Sequence, residues 1–407
     1  MEKRSAKRSA KMTSIAPFLL QDSAPGELQD AAVELMQLDA ALNAHIPESL
    51  RESLKFMLRV VNSFYSNRIE GNPTQPAEIL KAQLNKEKDL KDDLFEIKHH
   101  IEVQKYLNQK SLDRNEICTV DFLKELHRSF YEGMPKKFLE IDNEETGEKI
   151  NIQPGKFRTR DFHVGKHIAP EYQELTRLLN WFSNAYSPDR VFGTNRIFAA
   201  AASHHRLMWI HPFMDGNGRV GRLFTDNYMK HCANLGGYGL WSISRGFGRD
   251  VDSYYQALAA ADMERQGSSD GRGMLSDRGL LKFTTYFIET ALDQVKFFYE
   301  LLDPKRLVER VDIYFEMRNR QAITGLDGSH LPKMRPEVKT IYKELLTTRT
   351  GELERTEIQG MFNLGERTIR TILSQMVDER LVSAPPRKPV SLSLSPNSVE
   401  ILFPRLW

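Results

Sequence analysis

Residues 211–222 read HPFMDGNGRVGR. A histidine, an acid, two glycines around an asparagine and two arginines fall within one short stretch. None of these is a good core filler, and glycine is costly inside a helix. Gly216 and Gly218 bracket Asn217 and precede a helical pattern. A glycine-bracketed turn at a helix N-terminus lets successive backbone N–H groups point one way, which makes a nest for an anion. Arg219 and Arg222, three apart, share a face of the first turn. Cations there oppose the helix dipole, so structure alone does not select them, whereas a polyphosphate does. Asp215, just before the nest, is a carboxylate placed to hold Mg²⁺ against phosphate oxygens. His211 is the side chain best suited to take a proton near neutral pH. Phe213 is expected to turn inward and anchor the loop.

Other readings of the same residues fit less well. Gly216, Gly218 and Gly221 spell G-x-G-x-x-G, but a dinucleotide fingerprint needs a strand before it and an acid about 20 residues later. Here a helical pattern, AAAASHHRLMWI, precedes, and GGYGLW stands near the later position. No Gly-Lys-Ser/Thr follows to make a phosphate loop. His204, His205 and His211 lack a recognised zinc-ligand spacing.

The elements that must position these residues are mostly helical. Leu28, Ala32, Leu35, Leu38 and Leu42 form one stripe over 27–44. A second helix is predicted from Pro47 to Glu70, stopped by Gly71-Asn72-Pro73. Residues 77–110 read as one or two helices, and Thr119 caps a helix through Tyr131. Residues 134–168 hold the extended pieces EKINIQ and DFHVG and read as a loop carrying a hairpin. Helical pattern returns over 171–185, 190–210, 219–235 and 279–302. The run GSSDGRGMLSDRG, 267–279, is expected to be a mobile loop.

The bulk numbers bound the class. The chain has 407 residues, 40% hydrophobic and 28% charged, with a formal net charge of +2. That is ordinary globular usage with material for a sizeable core. A strongly nucleic-acid-binding protein is usually more basic. Two cysteines, Cys118 and Cys232, make no disulfide framework, so a cytoplasmic setting is expected. No apolar run approaches the ~20 residues of a membrane span. Residues 1–24 read as a basic, disordered tail, 25–324 as the helical body, 325–336 as a linker and 337–407 as a second domain.

The 211–222 stretch resembles the Fic family motif, His-x-Phe-x-(Asp/Glu)-Gly-Asn-Gly-Arg-x-x-Arg, at every fixed position. The resemblance extends over roughly residues 28–302. It implies an all-α fold, a Fic helical core with a small β-hairpin flap, and transfer of AMP from ATP to a protein hydroxyl. By that resemblance His211 deprotonates the target Ser, Thr or Tyr, and Asp215 holds Mg²⁺. Gly216, Asn217 and Gly218 cradle the phosphates. Arg219 binds on the β-phosphate side and Arg222 binds the γ-phosphate. Residues 66–71, SNRIEG, resemble the family's inhibitory pattern. Ser66 and Glu70 share a helix face, and Glu70 is expected to pair with Arg222 and occupy it. Residues 155–165, GKFRTRDFHVG, resemble the flap that docks the target, with Phe157, Arg158, Phe162 and Val164. In DSYYQAL, Tyr254 or Tyr255 is a candidate to stack on adenine.

Residues 354–382 have helix–turn–helix spacing. Thr356 is expected to cap a short helix, Asn363-Leu364-Gly365 to make the turn, and Glu366 to open a second helix. Ile369, Ile372, Leu373 and Met376 face inward, and Arg367 and Arg370 outward. With the ribbon PPRKPVSLSLS this looks like a C-terminal winged helix-turn-helix domain, for DNA or for protein contact and dimerisation. The expectation is a Mg²⁺- and ATP-dependent protein adenylyltransferase, autoinhibited through Glu70, with self-modification and a homodimer as further expectations. The alternatives are AMP removal at the same site, or a DNA-binding regulator whose helical body senses a nucleotide.

Overall fold

The computed structural model describes residues 15–19, 23–46, 48–85, 92–142, 147, 149–161, 163–164 and 167–407. The long apolar stripes become helices that bury one face each. They are α1 (Gly26–His45), α2 (Glu48–Ile69), α3 (Pro76–Asn85), α4 (Asp92–Gln109), α5 (Val120–Tyr131), α6 (Leu175–Ala185) and α7 (Asn195–Ile210). After the motif come α8 (Asn217–Asn227), α9 (Ile243–Arg249), α10 (Val251–Ala261) and α11 (Asp277–Leu301). Thr119 caps α5 by accepting from the Phe122 N–H, as its sequence predicts.

The stripe of α1 differs in one position. Asp39, not Leu38, completes the buried row with Leu28, Ala32, Leu35 and Leu42. A buried carboxylate needs donors, and it has them in the Trp241 indole N–H at 2.8 Å and the Gly237 N–H at 2.9 Å. The central helix is α7, in which Ala199 to Ala202 are fully buried. Four methyl side chains in a row let α6, α8 and α11 pack against it.

The 134–168 region carries two hairpins rather than one. Strand β1 (Glu140–Asp142) pairs antiparallel with β2 (Lys149–Asn151), and β3 (His163–Val164) with β4 (His167–Ile168). EKINIQ and DFHVG therefore find different partners. The 267–279 run is tied down, not loose. Buried Asp270 accepts from the N–H groups of Gln266 (2.8 Å) and Arg278 (3.0 Å) and closes the loop on itself.

The disordered-tail expectation fails where the tail is described. Ile15 and Leu19 are buried, and the Ala16 carbonyl accepts from Arg206. The apolar piece IAPFL, residues 15–19, has a core to join. Residues 1–14 and 20–22 lie outside the described residues.

Beyond α11 stand α12 (Pro304–Asn319), α13 (Pro336–Thr347), α14 (Arg355–Phe362), α15 (Glu366–Asp378) and α16 (Val399–Leu402). A three-stranded antiparallel sheet accompanies them, in the order β5 (Glu352–Leu353), β7 (Val390–Leu392), β6 (Val382–Ser383). Helix α12, grouped by sequence with the body, packs on α13 and α16. Residues 325–336 are not a loose linker. Leu331 and Met334 are buried, and Arg318 of α12 donates to the Pro332 carbonyl at 2.8 Å. Glu354 rather than Thr356 caps α14, through a capping box with Glu357. Ile369, Ile372, Leu373 and Met376 are buried as expected.

This C-terminal part docks on α2. Ser53 donates to the Leu392 carbonyl at 2.9 Å, and Trp407 meets Phe64 edge-on at 5.7 Å. Arg245 of α9 donates to the Leu406 carbonyl at 2.9 Å.

Candidate active site

Helix α7 ends at His211 and α8 begins at Asn217, so the motif is a tight helix-to-helix turn. Two left-handed residues make that turn. Gly216 caps α8 at φ +76°, where its missing side chain also admits the Tyr131 ring. His211 caps α7 at φ +51°, a strained conformation for a non-glycine residue. The Asn217 side chain staples the turn shut. It accepts from the Phe213 N–H and donates to the Phe213 carbonyl, both at 2.9 Å. The Asn217 side chain thus serves the loop itself. Phe213 turns fully inward and stacks on His127 at 4.1 Å.

Arg158 holds the strained histidine from below. Its Nε donates to the His211 carbonyl at 2.8 Å, and its backbone N–H to the Pro212 carbonyl at 2.9 Å. It is 2% exposed. Phe157 packs on Phe213 at 5.3 Å. Both are expected from sequence to dock a target; in the structure Arg158 is buried against the turn and Phe157 is half-buried beside it. Val164 pairs through its backbone with His167, and Phe162 lies outside the described residues.

The His211 imidazole is oriented by the backbone of its own helix. A carbonyl can only accept, so Nδ1 carries the hydrogen that reaches the Met208 carbonyl at 3.1 Å. The lone pair then resides on Nε2. Burial pulls its pKa down to about 4; the Met208 bond and Glu70 resist this, while His167 and Arg158 add to it. His211 is therefore neutral at pH 7.

One helical turn along α8, Arg222 is 1% exposed. Its Nε donates to Ser66 Oγ at 2.9 Å, and its Nη2 to the Ser66 carbonyl at 2.8 Å and to Glu70 Oε1 at 2.5 Å. Burial would lower its pKa, but the Glu70 carboxylate more than offsets this and holds the guanidinium charged. The same carboxylate lies against the nest: a Cβ added to Gly218 would stand 2.0 Å from Glu70 Oε1. The acid that meets Arg222 and Gly218 belongs to the chain itself.

Asp215 and Arg219 form a second cluster at the turn. Asp215 accepts from the Tyr131 hydroxyl at 2.6 Å and from Arg219 at 3.3 Å. Burial would raise its pKa, yet Arg219, Tyr131 and the Gly216 N–H hold it below the usual range, so it stays ionised. Arg219 also pairs with Glu96 of α4 and lies 4.8 Å over the Phe130 ring. Its guanidinium is thus engaged by Glu96 and Asp215.

A cavity of about 570 Å³ opens in front of the turn. Among the described residues it is lined by His211, Gly218, Arg222, Glu70, Tyr254 and Tyr255, and by His167 and Asp262. Tyr254 is buried, stacked on Phe247 at 4.5 Å, with its hydroxyl 2.8 Å from His204. One face of its ring is taken by Phe247. Tyr255 is 46% exposed at the cavity wall, and its hydroxyl donates to the Ile69 carbonyl at 3.1 Å.

Sequence reasoning missed the cavity's other wall. His167 of β4 reaches Asp262 through Nδ1 at 3.2 Å and the Trp209 carbonyl through Nε2 at 3.0 Å. His205 of α7 meets the other Asp262 oxygen at 2.9 Å. Burial would raise the Asp262 pKa, but these two histidines keep it well below the carboxylate range. His204 and His205 are thereby committed to Thr225, Tyr254 and Asp262. The second hairpin is pinned beside His211 by a His167–Asp262 contact that no local pattern announces.

Fold and site together define a helical domain whose inter-helix turn sets a neutral histidine beside an arginine–glutamate pair. Residues 117–229 match the model of the Fic/DOC family, and the chain carries a Fic/DOC family domain there. Two proteins named "Protein adenylyltransferase Fic" are similar to it. The one from Aedes aegypti is 28% identical over 169 residues, 41% of this chain and 31% of that protein. The one from Drosophila erecta is 30% identical over 169 residues, again 41% and 31%. The matched stretch spans about a third of the length of these curated relatives. A solved Fic family protein from Desulfovibrio desulfuricans G20 shares the fold, with TM-score 0.50 and 15% identity over 89% of this chain and 96% of that one.

Proposed function

We propose that the chain is a protein adenylyltransferase held inactive by its own Glu70. The observation that carries this reading is the Glu70 carboxylate on Arg222 and over Gly218, 2.5 Å from the guanidinium. A built anion site filled by an internal acid is a site meant for a stronger anion under control. The named activity of the relatives and the full match of residues 211–222 to the motif supply the chemistry.

The target hydroxyl gives its proton to His211 Nε2. Its oxygen attacks the α-phosphorus of ATP in line; that P–O bond forms as the bond to pyrophosphate breaks. The base must be neutral to act, and burial keeps it so. The backbone of 216–218 and the freed Arg222 meet the leaving charge, work done by positioning and electrostatics. Tyr255, not the enclosed Tyr254, presents the face for adenine. Asp215, ionised and beside the nest, is the residue to hold Mg²⁺; one carboxylate is enough where substrate phosphates complete the shell. When bound, Mg²⁺ supplies charge neutralisation of the phosphate oxygens. Arg219 positions Asp215 in this reading.

The C-terminal part has the element order of a winged helix, α13–β5–α14–α15–β6–β7. Its second helix exposes Arg367 and Arg370, but Arg370 pairs with Glu366 at 2.8 Å. So balanced a face favours protein over DNA. Its dock on α2 places it to act on the Glu70 helix.

The test is intact-mass spectrometry of the Glu70→Gly chain incubated with ATP, Mg²⁺ and a cell lysate. A mass gain of one AMP on the chain or on a lysate protein is expected. A loss of AMP from pre-modified protein, with no gain anywhere, would instead make the site an AMP-removing one.

A further inference from the structure

Hairpin β3–β4 has two residues in each strand, with Val164 opposite His167. A two-stranded ribbon is marginal by itself, and one this short has too few ladder bonds to fix its own place. His167 ties it to the helical body. Its Nε2 lies 3.0 Å from the Trp209 carbonyl, in the last turn of α7. Its Nδ1 lies 3.2 Å from Asp262, the residue that ends α10. The last carbonyls of a helix lack partners within it, and a helix C-terminus favours a cation. Two such ends meet at this side chain, and ionised Asp262 adds a full negative charge to one of them.

His205 does not cancel that charge. The Arg206 guanidinium, a donor only, lies 3.0 Å from His205 Nδ1, so that nitrogen accepts. His205 is then neutral and donates to Asp262 from Nε2. His167 differs, because both of its nitrogens face acceptors, a carbonyl and a carboxylate. It satisfies both only with a hydrogen on each nitrogen, as an imidazolium. The other charged or titratable groups around this corner are Arg206, His211 with its ring centre 6.3 Å away, Arg158 on the His211 carbonyl, and Glu70 and Arg222 across the cavity.

We propose that His167 is a positioning residue for AMP transfer: its imidazolium latches the hairpin to the ends of α7 and α10, and so sets the strand edge along which an acceptor segment reaches His211. The positioning role rests on the adenylyltransferase reading; the latch does not. Helix α7 leads into His211, and α10 carries Tyr255 on the cavity wall, so one side chain fixes the hairpin to both elements. When His167 loses its proton, one nitrogen turns a lone pair toward an acceptor and that contact is lost. The hairpin loosens, while the nest, Arg222 and Tyr255 keep their own supports. The latch therefore acts on the acceptor side and leaves ATP binding alone.

The experiment has two readouts. The first is amide exchange of residues 163–168 in the full wild-type chain, as protection factors from about pH 6 to pH 8, where histidine titrates. Protection should fall about tenfold as pH rises, with α7 unchanged, and should stay level in His167→Lys, which keeps the charge. The second is transfer of label from ATP labelled at the α-phosphate, with Mg²⁺, to lysate protein by the Glu70→Gly chain. His167→Ala in that chain should slow transfer about tenfold with the KM for ATP unchanged, and His167→Lys should restore most of the rate. Level protection of 163–168 across this pH range in wild type overturns the latch. A His167→Ala rate equal to its parent's, a loss expressed as a raised KM for ATP, or no rescue by His167→Lys overturns the positioning role. No label from the Glu70→Gly parent overturns the adenylyltransferase reading, and the exchange result still decides the latch.

Discussion

The Glu70 carboxylate lies 2.5 Å from the Arg222 guanidinium, and the two residues come from helices 152 positions apart in the chain. Arg222 is almost wholly enclosed, so removing its partner would leave a buried charge unpaired, which is costly. Glu70, by contrast, sits at a helix end where the dipole disfavours an acid. The pair is therefore asymmetric. The arginine needs an anion, and the glutamate is the one the fold provides.

Ser66 measures how firmly that anion is held. Ser66→Ala removes the Oγ that accepts from Arg222 Nε and leaves that donor unsatisfied in the interior. A stability loss of about 1–3 kcal/mol is expected by chemical denaturation. Basal AMP transfer should rise as well, because Glu70 loses a neighbour that fixes its arginine. Lower transfer in Ser66→Ala would count against the arrangement.

The two tyrosines separate cleanly. Tyr255→Ala should raise the KM for ATP about tenfold, a stacking contribution of roughly 1–2 kcal/mol, with stability little changed. Tyr254→Ala should cost about 3–5 kcal/mol of stability, because it empties a core site against Phe247 and His204. Paired steady-state kinetics and urea melts check both. The reverse pattern would return adenine stacking to Tyr254.

Buried histidines set the acid response. His211 and His127 lie at about 4, and His100 and His204 at about 3, all lowered chiefly by burial from 6.5. A lowered histidine pKa means that the unfolded chain binds the proton first, so stability is lost as pH falls below 6.5. By pH 5 the loss is about 2 kcal/mol per histidine at most. Asp226, raised to about 6, runs the other way and offsets part of it. The Tm is expected to fall steadily from pH 7 to pH 5. The acid limb of kcat/KM should lie near pH 4 to 5, or wherever unfolding cuts it off, rather than near 6.5. A limb at 6.5 with the fold intact would contradict a buried, neutral base.

What could be read in advance followed from locality. The 211–222 turn is legible because a base, a nest and an arginine one turn on must be adjacent in sequence to share a helix start. SNRIEG is legible for a similar reason, since four-residue spacing puts Ser66 and Glu70 on one face. His167, Asp262 and His205 were not legible. They come from a hairpin, a helix end and a central helix, and only packing joins them. The contacts of Arg158 and Phe157 with the turn were not legible either, because a flap-like stretch does not reveal which side chains turn inward. Helix α12 was grouped with the body because its allegiance depends on its contacts with α13 and α16, not on its own pattern.

The most direct measurement uses ATP labelled at the α-phosphate, with Mg²⁺ and a cell lysate, and scores label on protein for wild type, Glu70→Gly and His211→Ala. Strong label in Glu70→Gly, at least about tenfold weaker label in wild type, and none in a Glu70→Gly chain that also carries His211→Ala are predicted. Equal label in wild type and Glu70→Gly would contradict the inhibitory role of the Glu70–Arg222 pair. Undiminished label without His211 would contradict the base.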